Sequence, residues 1–355
     1  MSLLSMALAV ALWGGLEPGP HGVGFEQIES FDYSRPFRAE GDHRARPITM
    51  SIWYPASSSD ASALKFGRYI DGADGRENFR ARLATYGFAL SPPELDALLS
   101  SETAAIEKAP RAAGPFPLLL FGTGLTGPFY LNTVLCEYLA SHGYVVVAIP
   151  SLPAREGIEA AYDAFAVDAQ IRDMEFVIQE MHDYPELGTE RLGLLAWSLG
   201  GVSQALLSMK NADVGAVVSL DAATGYAYGE KLLESSLFFD PSRSTAAFFH
   251  ATDSRESGQV PKSFRYYDEM VRGRSYFLTI AGASHAEFTS MATVIPTRVV
   301  SSDDSAAALE RYRRLCLYTL RFLDATLRND PSAREFLEDA PTRHGFAGLV
   351  LTRKR

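Results

Sequence analysis

The chain has 355 residues, of which 47% are hydrophobic, and its formal net charge is −10. This is enough apolar material for one large core, and the acidic balance without a basic cluster argues against a nucleic-acid partner. The two cysteines, Cys136 and Cys316, fall in predicted helices, where we expect them to be small buried hydrophobic residues.

The first fifteen residues form an apolar run that is too short to span a bilayer. The run predicts either a secretory signal or, because a basic leading segment is absent, a cytoplasmic chain. A Gly- and Pro-rich stretch follows over residues 14–24. We therefore expect a signal segment and linker over 1–24, a folded domain over 25–328 and a C-terminal tail over 329–355.

Two strands are predicted early in the chain, at 25–33 and 46–55, from apolar residues that alternate at period two. The next stretch, 57–114, breaks this pattern and contains two predicted helices, at 78–86 and 92–107. We interpret it as a helical insertion over one end of a sheet. It is either a surface decoration or a lid that shapes a pocket.

From residue 117 onward, short apolar strands alternate with helices. The predicted strands are 117–122, 144–150, 192–197, 214–220, 246–251 and 275–281. The predicted helices are 130–142, 160–181, 199–210, 262–271 and 302–327. This alternation predicts an α/β fold with a mostly parallel sheet covered by helices on both faces. In such sheets, ligands bind beyond the carboxyl ends of the strands.

The segment 191–201 has the sequence RLGLLAWSLGG and is typical of a buried strand, a sharp turn bearing Ser198, and a helix. The residues two before and two after the serine crowd each other in such a turn, and Ala196 and Gly200 are both small. The pattern is one residue away from the G-x-S-x-G nucleophile elbow. The N–H of Leu199 then faces a developing oxyanion from a helix N-terminus. The alternative is an ordinary turn with a capping serine.

A nucleophilic serine requires a base, and the base requires an orienting carboxylate. Of the seven histidines, only His285 directly follows the last predicted strand. The chain order serine, acid, histidine is that of the hydrolase sheet. Asp221 and Asp253 each follow a strand between Ser198 and His285, and their positions alone do not distinguish them.

The glycine-rich segment 122–127 follows a strand and precedes a helix. It matches G-x-G-x-x-G, but it follows the third strand, and the next strand does not end in an acid, so a dinucleotide site is not predicted. An oxyanion loop fits better, with the amide of Leu125 acting beside that of Leu199. No His, Cys, Asp or Glu cluster has metal-ligand spacing, so we predict no metal and no cofactor.

These segments resemble α/β-hydrolases, and in particular the dienelactone hydrolase and platelet-activating-factor acetylhydrolase-like group. The matching segments are 46–55, 117–125, 139–148, 196–201, 220–222 and 284–288. The resemblance implies an α/β-hydrolase fold. Two positions depart from the family pattern: Thr123 replaces the usual histidine of the oxyanion loop, and Ala196 replaces the first glycine of the elbow.

The resemblance also favours one of the two acids. Acetylhydrolase-like members carry the acid about two dozen residues after the serine, and here the separation is 221 − 198 = 23 residues. This favours Asp221, whereas the dienelactone hydrolases carry their acid at the position of Asp253.

The sequence thus predicts a serine ester hydrolase that acts through an acyl-enzyme on small carboxylic esters with short acyl, lipid-like or lactone groups. Two alternatives remain open. One is a non-catalytic scaffold of the same fold, and the other is an amidase or peptidase that uses the same three residues.

Overall fold

The structure is a computed structural model. It describes residues 12–37, 44–57, 59, 61–71, 75–85, 88–124, 127–156, 161, 163–184, 186–253, 261–269, 273–295 and 304–354.

A single sheet runs through the described part of the chain. Its strands are β1 (Gly22–Pro36), β2 (Ala45–Ala56), β3 (Ala105–Glu107), β4 (Phe116–Gly122), β5 (Val145–Ile149), β6 (Leu187–Trp197), β7 (Val214–Leu220), β8 (Ala247–Asp253), β9 (Ser275–Ile280) and β10 (Leu349–Lys354). Their order across the sheet is β10-β9-β8-β7-β6-β4-β5-β2-β1-β3. Strands β4 to β9 are mutually parallel, whereas β2 and β10 pair antiparallel with β5 and β9.

Helices connect the strands. They are α1 (Gly67–Asp71), α2 (Gly75–Thr85), α3 (Pro92–Ser100), α4 (Thr133–Ser141), α5 (Ala164–Glu180), α6 (Gly200–Lys210), α7 (Ala227–Ser235), α8 (Arg265–Glu269), α9 (Met291–Val294), α10 (Ser305–Leu327) and α11 (Pro331–Glu338).

Strand β4 shows why the sheet is covered on both faces. Its side chains alternate between two apolar clusters, with Leu119 and Phe121 in one and Leu118 and Leu120 in the other. Helices α4 and α10 contribute to the first cluster, and α5 and α6 contribute to the second. A strand that is apolar on both faces is typical of a parallel sheet between helical layers. The predicted α/β architecture is therefore confirmed.

The insertion between β2 and β4 contains α1, α2, α3 and the short strand β3. The predicted helix over 92–107 is shorter in the structure, because α3 ends at Ser100 and residues 105–107 pair with β1 as a parallel strand. Burial explains the change, since Ala105 and Ile106 pack at this edge of the sheet. The insertion also packs on the segment after β4, where the Phe79 and Tyr130 ring centroids are 5.2 Å apart.

The expected N-terminal linker differs from the structure. Strand β1 already begins at Gly22, and the preceding residues Trp13 and Leu16 are buried in the core. The indole Nε1 of Trp13 donates to the buried carboxylate of Glu137 on α4 at 2.7 Å. The burial of Trp13 and Leu16, together with this hydrogen bond, attaches residues 12–24 to the domain. The signal-like residues 1–11 lie outside the described residues.

The expected C-terminal tail is also part of the domain. Helix α11 buries Ala333 and Leu337 against the core, and its N-terminus is capped by Asp330. Strand β10 then pairs antiparallel with β9, and its Leu349 is buried. Residues 329–354 therefore belong to the domain, because their apolar side chains are buried in its core and β10 forms one edge strand of the sheet.

Candidate active site

Ser198 occupies the sharp turn between β6 and α6. Its φ of +58° is in the left-handed region, which non-glycine residues rarely adopt and which is frequent at functional sites. Its carbonyl accepts the Ala223 amide at 2.8 Å, and its amide donates to the Leu220 carbonyl at 3.4 Å. The end of β7 therefore holds the turn in this strained conformation.

The turn leaves no room for larger neighbours. A Cβ added to Gly200 would lie 2.5 Å from the carbonyl oxygen of Gly122, and one added to Gly201 would lie 2.5 Å from Ala222 Cβ. Ala196 is fully buried beneath the turn. The small residues after Ser198 are therefore required by the end of β4 and the segment after β7, which pack against the turn.

Asp221 follows β7 directly, and it too has a left-handed backbone, with φ of +42°. Its amide donates to the Ala251 carbonyl on β8 at 2.7 Å. Its side chain is only 4% exposed. Burial raises the pKa of this carboxyl group, but hydrogen bonds and charge from His285, with a further hydrogen bond from Tyr226, hold the pKa below its ordinary value. The group is therefore ionised at neutral pH.

His285 begins a short turn after β9 and meets Asp221. Its Nδ1 lies 2.6 Å from Asp221 Oδ2, and its side chain is 48% exposed. Because an ionised carboxylate can only accept hydrogen bonds, Nδ1 carries the hydrogen, and the lone pair of the neutral ring is on Nε2. Nε2 is thus the atom of this imidazole that can accept a proton.

Trp197 fixes the orientation of this imidazole. The two rings stack with centroids 4.7 Å apart and planes at 24°, and Trp197 Nε1 donates to the His285 carbonyl at 3.2 Å. Trp197 is also the residue immediately before Ser198. Its indole therefore brings the turn after β9 against the serine turn.

Asp253, the alternative acid of the sequence analysis, is the last residue of β8. Its backbone carbonyl accepts a hydrogen bond from the Lys262 ammonium group. The hydroxyl group of the preceding residue, Thr252, donates a hydrogen bond to Asp221 Oδ1 at 3.0 Å. The carboxylate 2.6 Å from His285 Nδ1 is that of Asp221, directly after β7.

The glycine-rich loop after β4 passes beside the serine turn. A Cβ added to Gly124 would lie 3.0 Å from Ser198 Cβ, so this glycine permits the close approach. The Thr123 carbonyl accepts from Gln170 Nε2 on α5 at 3.0 Å, and Gln170 Oε1 accepts from Ser203 on α6 at 2.6 Å. Residue 125, predicted as an oxyanion donor, lies outside the described residues; Leu199, the other, directly precedes α6.

Sequence reasoning missed four residues that support this site: Trp197, Tyr226, Thr252 and Gln170. Trp197 and Thr252 adjoin candidate residues in sequence, which is the only signal the chain gives for them. Tyr226 and Gln170 carry no motif, and their roles depend on contacts between separate elements.

Three further observations bear on chemistry. Within the described ranges, no group of three His, Cys, Asp or Glu side chains could hold a metal ion. Cys136 and Cys316 are both free and buried. Across the same ranges, no helix is long and apolar enough to cross a membrane.

Comparison with known proteins identifies the fold. No protein-family model matches the sequence, and no curated protein sequence matches it. The structure is similar to that of a ferulic acid esterase from Streptomyces cinnamoneus, with a TM-score of 0.61. The match covers 89% of this chain and 93% of that chain at 18% sequence identity. The chain has the α/β-hydrolase fold. The finer resemblance to dienelactone and acetylhydrolase-like enzymes stays a prediction.

In this α/β-hydrolase sheet, a second histidine lies deeper, one strand away from Asp221. His250 on β8 is fully buried, and its Nδ1 lies 2.9 Å from the Tyr267 hydroxyl. Its Nε2 has no hydrogen-bond partner among the described residues and faces Gly225. Burial lowers the pKa of His250 to about 4, so the ring is neutral at neutral pH.

We expect His250 to make the fold sensitive to acid. Its pKa is 6.5 when unfolded and about 4 when folded, so the unfolded chain binds more protons between these values and stability falls as the pH falls. The total loss is about 3 kcal/mol at low pH. His250→Asn, which keeps a polar atom near Nδ1, should be less stable at pH 7 but should lose less free energy of unfolding on acidification. Urea unfolding at several pH values measures this.

The exposed His182 supplies the control, because His182→Asn should keep the wild-type pH dependence. If His250→Asn also kept it, the buried ring would not be the acid-sensitive group.

Proposed function

We propose that this chain is a serine hydrolase of carboxylic esters. The observation that carries the proposal is the 2.6 Å contact between His285 Nδ1 and Asp221 Oδ2, beside a serine held at φ +58°. This contact leaves the basic nitrogen of a half-exposed imidazole available. Ser198, His285 and Asp221 then have the roles of nucleophile, base and orienting acid.

The reaction proceeds through two steps on these residues. His285 Nε2 takes the proton from the Ser198 hydroxyl as its oxygen attacks the ester carbonyl, and it returns that proton to the leaving alcohol. Water then attacks the acyl-enzyme, and His285 Nε2 takes a proton from it. The bond between the acyl carbon and the Ser198 oxygen breaks, the carboxylic acid leaves, and the proton returns to the Ser198 oxygen. The backbone amides of Leu125 and Leu199 stabilise the oxyanion, because fixed donors act strongly where negative charge develops.

The insertion packs buried aromatic side chains against the segment that follows the glycine-rich loop. It places Phe66, Tyr69 and Phe79 around Phe129 and Tyr130, which follow the glycine-rich loop. We propose an apolar acyl or aryl pocket at this end of the sheet, and the insertion as its wall. Short acyl, lipid-like and lactone esters fit this description. So does an ester of an aromatic acid, the class that the name of the similar structure indicates.

Two measurements on one preparation test the proposal. The wild-type protein should hydrolyse p-nitrophenyl acetate or butyrate and should form one covalent adduct with a fluorophosphonate, located by mass spectrometry on the peptide that contains Ser198. Only an activated serine reacts in this way. Ser198→Ala should lose both properties, and Ser100→Ala, at an exposed position on α3, should lose neither.

The outcomes separate the alternatives. Equal hydrolysis by wild type and Ser198→Ala, together with no adduct, would overturn the proposal and favour a non-catalytic scaffold. Equal rates on a matched ester and amide would instead indicate an amidase.

A further inference from the structure

The carboxylate of Asp221 divides its two oxygens between different partners. Oδ2 faces His285 Nδ1 at 2.6 Å. Oδ1 accepts two hydrogen bonds, one from the Tyr226 hydroxyl at 2.7 Å and one from the Thr252 hydroxyl at 3.0 Å. The three partners come from three separate parts of the chain: the turn after β9, the segment before α7, and the end of β8.

The backbone of Asp221 needs such support. A non-glycine residue with φ of +42° is strained and persists only where its surroundings over-determine it. The hydrogen bond from the Asp221 amide to the Ala251 carbonyl fixes the backbone, but it leaves the rotation of the carboxylate free. Two donors on Oδ1 remove that freedom, because a rotated carboxylate would lose both of them.

The same donors keep the carboxylate charged. With its side chain 4% exposed, Asp221 has little contact with water, and an ionised group there requires hydrogen bonds to replace its hydration. Hydrogen bonds to charged groups are stronger than those between neutral groups. Thr252 is itself only 4% exposed, so its hydroxyl is built into the core beneath the acid.

We propose that Tyr226 and Thr252 are positioning residues, whose hydroxyl groups hold the Asp221 carboxylate in the rotation that orients His285. This inference rests on the proposed function, because it assigns the two residues to the same reaction. Strand β8 then supplies the Thr252 hydroxyl to Asp221, the acid that follows β7. Tyr226, which is half-buried, supplies the second hydroxyl to the same oxygen.

Hydroxyl deletion tests this with Tyr226→Phe, Thr252→Val and the double variant. Each single variant should lower kcat for p-nitrophenyl acetate by about tenfold, within the range for a lost hydrogen bond to a charged group. The value of KM should change little, because both hydroxyl groups donate to Asp221 and act on the reaction through His285. Thr252→Ser, which retains the hydroxyl, should restore most of the rate.

Tyr228→Phe is the matched control. Tyr228 lies two residues from Tyr226, and their rings stack with centroids 5.9 Å apart. Deletion of its hydroxyl should leave kcat close to that of the wild type. Thermal midpoints of all variants show whether a loss of rate comes from a loss of fold.

A second readout does not need turnover. In proton NMR, the hydrogen between His285 and Asp221 should give a downfield resonance in the wild type and in Ser198→Ala. The double variant should shift or broaden it, because the acceptor is no longer fixed. If the double variant kept both the wild-type resonance and the wild-type kcat, the inference would be wrong. If the wild type formed no adduct and hydrolysed no ester, the proposed function would fail, and the NMR comparison would still decide the positioning role.

Discussion

Asp221→Asn should lower kcat for ester hydrolysis by about 10⁴-fold, the scale known for the orienting acid of a serine–histidine–aspartate triad. The reason is the tautomer of His285. An amide can donate a hydrogen to Nδ1, which would leave the hydrogen of the neutral ring on Nε2, where the base is required. Because an amide nearly has the shape of a carboxylate, the fold should be retained, and steady-state kinetics on p-nitrophenyl acetate measures the effect.

Asp253→Asn is the matched control. It makes the same chemical change at the end of the neighbouring strand, and it should keep kcat within a few-fold of the wild type. The pair tests Asp221, which the family resemblance favoured, against Asp253, which position in the sequence did not distinguish from it. If Asp253→Asn lost the activity and Asp221→Asn retained it, the orienting acid would be Asp253.

His285→Ala should have a still larger effect, a loss of about 10⁶-fold in kcat, because removal of the base disables the nucleophile as well. The half-exposed position of the ring also predicts that an added base can replace it. With 48% of its side chain exposed, deletion of the ring leaves a site that solvent can reach. Imidazole in the buffer should therefore restore part of the activity in proportion to its concentration.

Controls keep this result specific to the base. His182→Ala removes an exposed histidine that lies before β6, at the opposite end of that strand from the serine turn, and should change neither the rate nor the response to imidazole. Ser198→Ala should not respond to imidazole, because the nucleophile itself is missing. An active His285→Ala variant would contradict the proposed role of His285.

Much of the fold was predictable because its signals are local. The apolar runs of β4 to β9 and the helices between them follow from periodicity, and strand β7 coincides with the predicted range 214–220. The small residues Ala196 and Gly200 revealed the serine turn because both stand at fixed positions in a local motif, although the atoms that crowd Gly200 belong to Gly122 and Thr123. His285 stood out because of its position after the last predicted strand.

Other features required contacts between distant segments. The short strand β3 and the edge strand β10 have few residues, and each forms only because a neighbouring strand offers an unpaired edge. Trp13 lacks a sequence signal for burial, and its place depends on a carboxylate on α4. Sequence patterns do not predict such pairing, because the partners are separated by many residues.

The serine turn therefore divides what the sequence determined from what the tertiary structure decided. The chain by itself determined the strand and the small neighbours of the serine, because both follow from the local sequence pattern. The strained backbone of Ser198 depends on its hydrogen bonds to Leu220 and Ala223, at and after the end of β7. Only the tertiary structure decided which carboxylate contacts His285. In the structure Asp221 has a left-handed backbone, its Oδ2 contacts His285, and the Thr252 and Tyr226 hydroxyl groups donate to its other oxygen. Such an arrangement exists only after β7, β8 and the turn after β9 have come together.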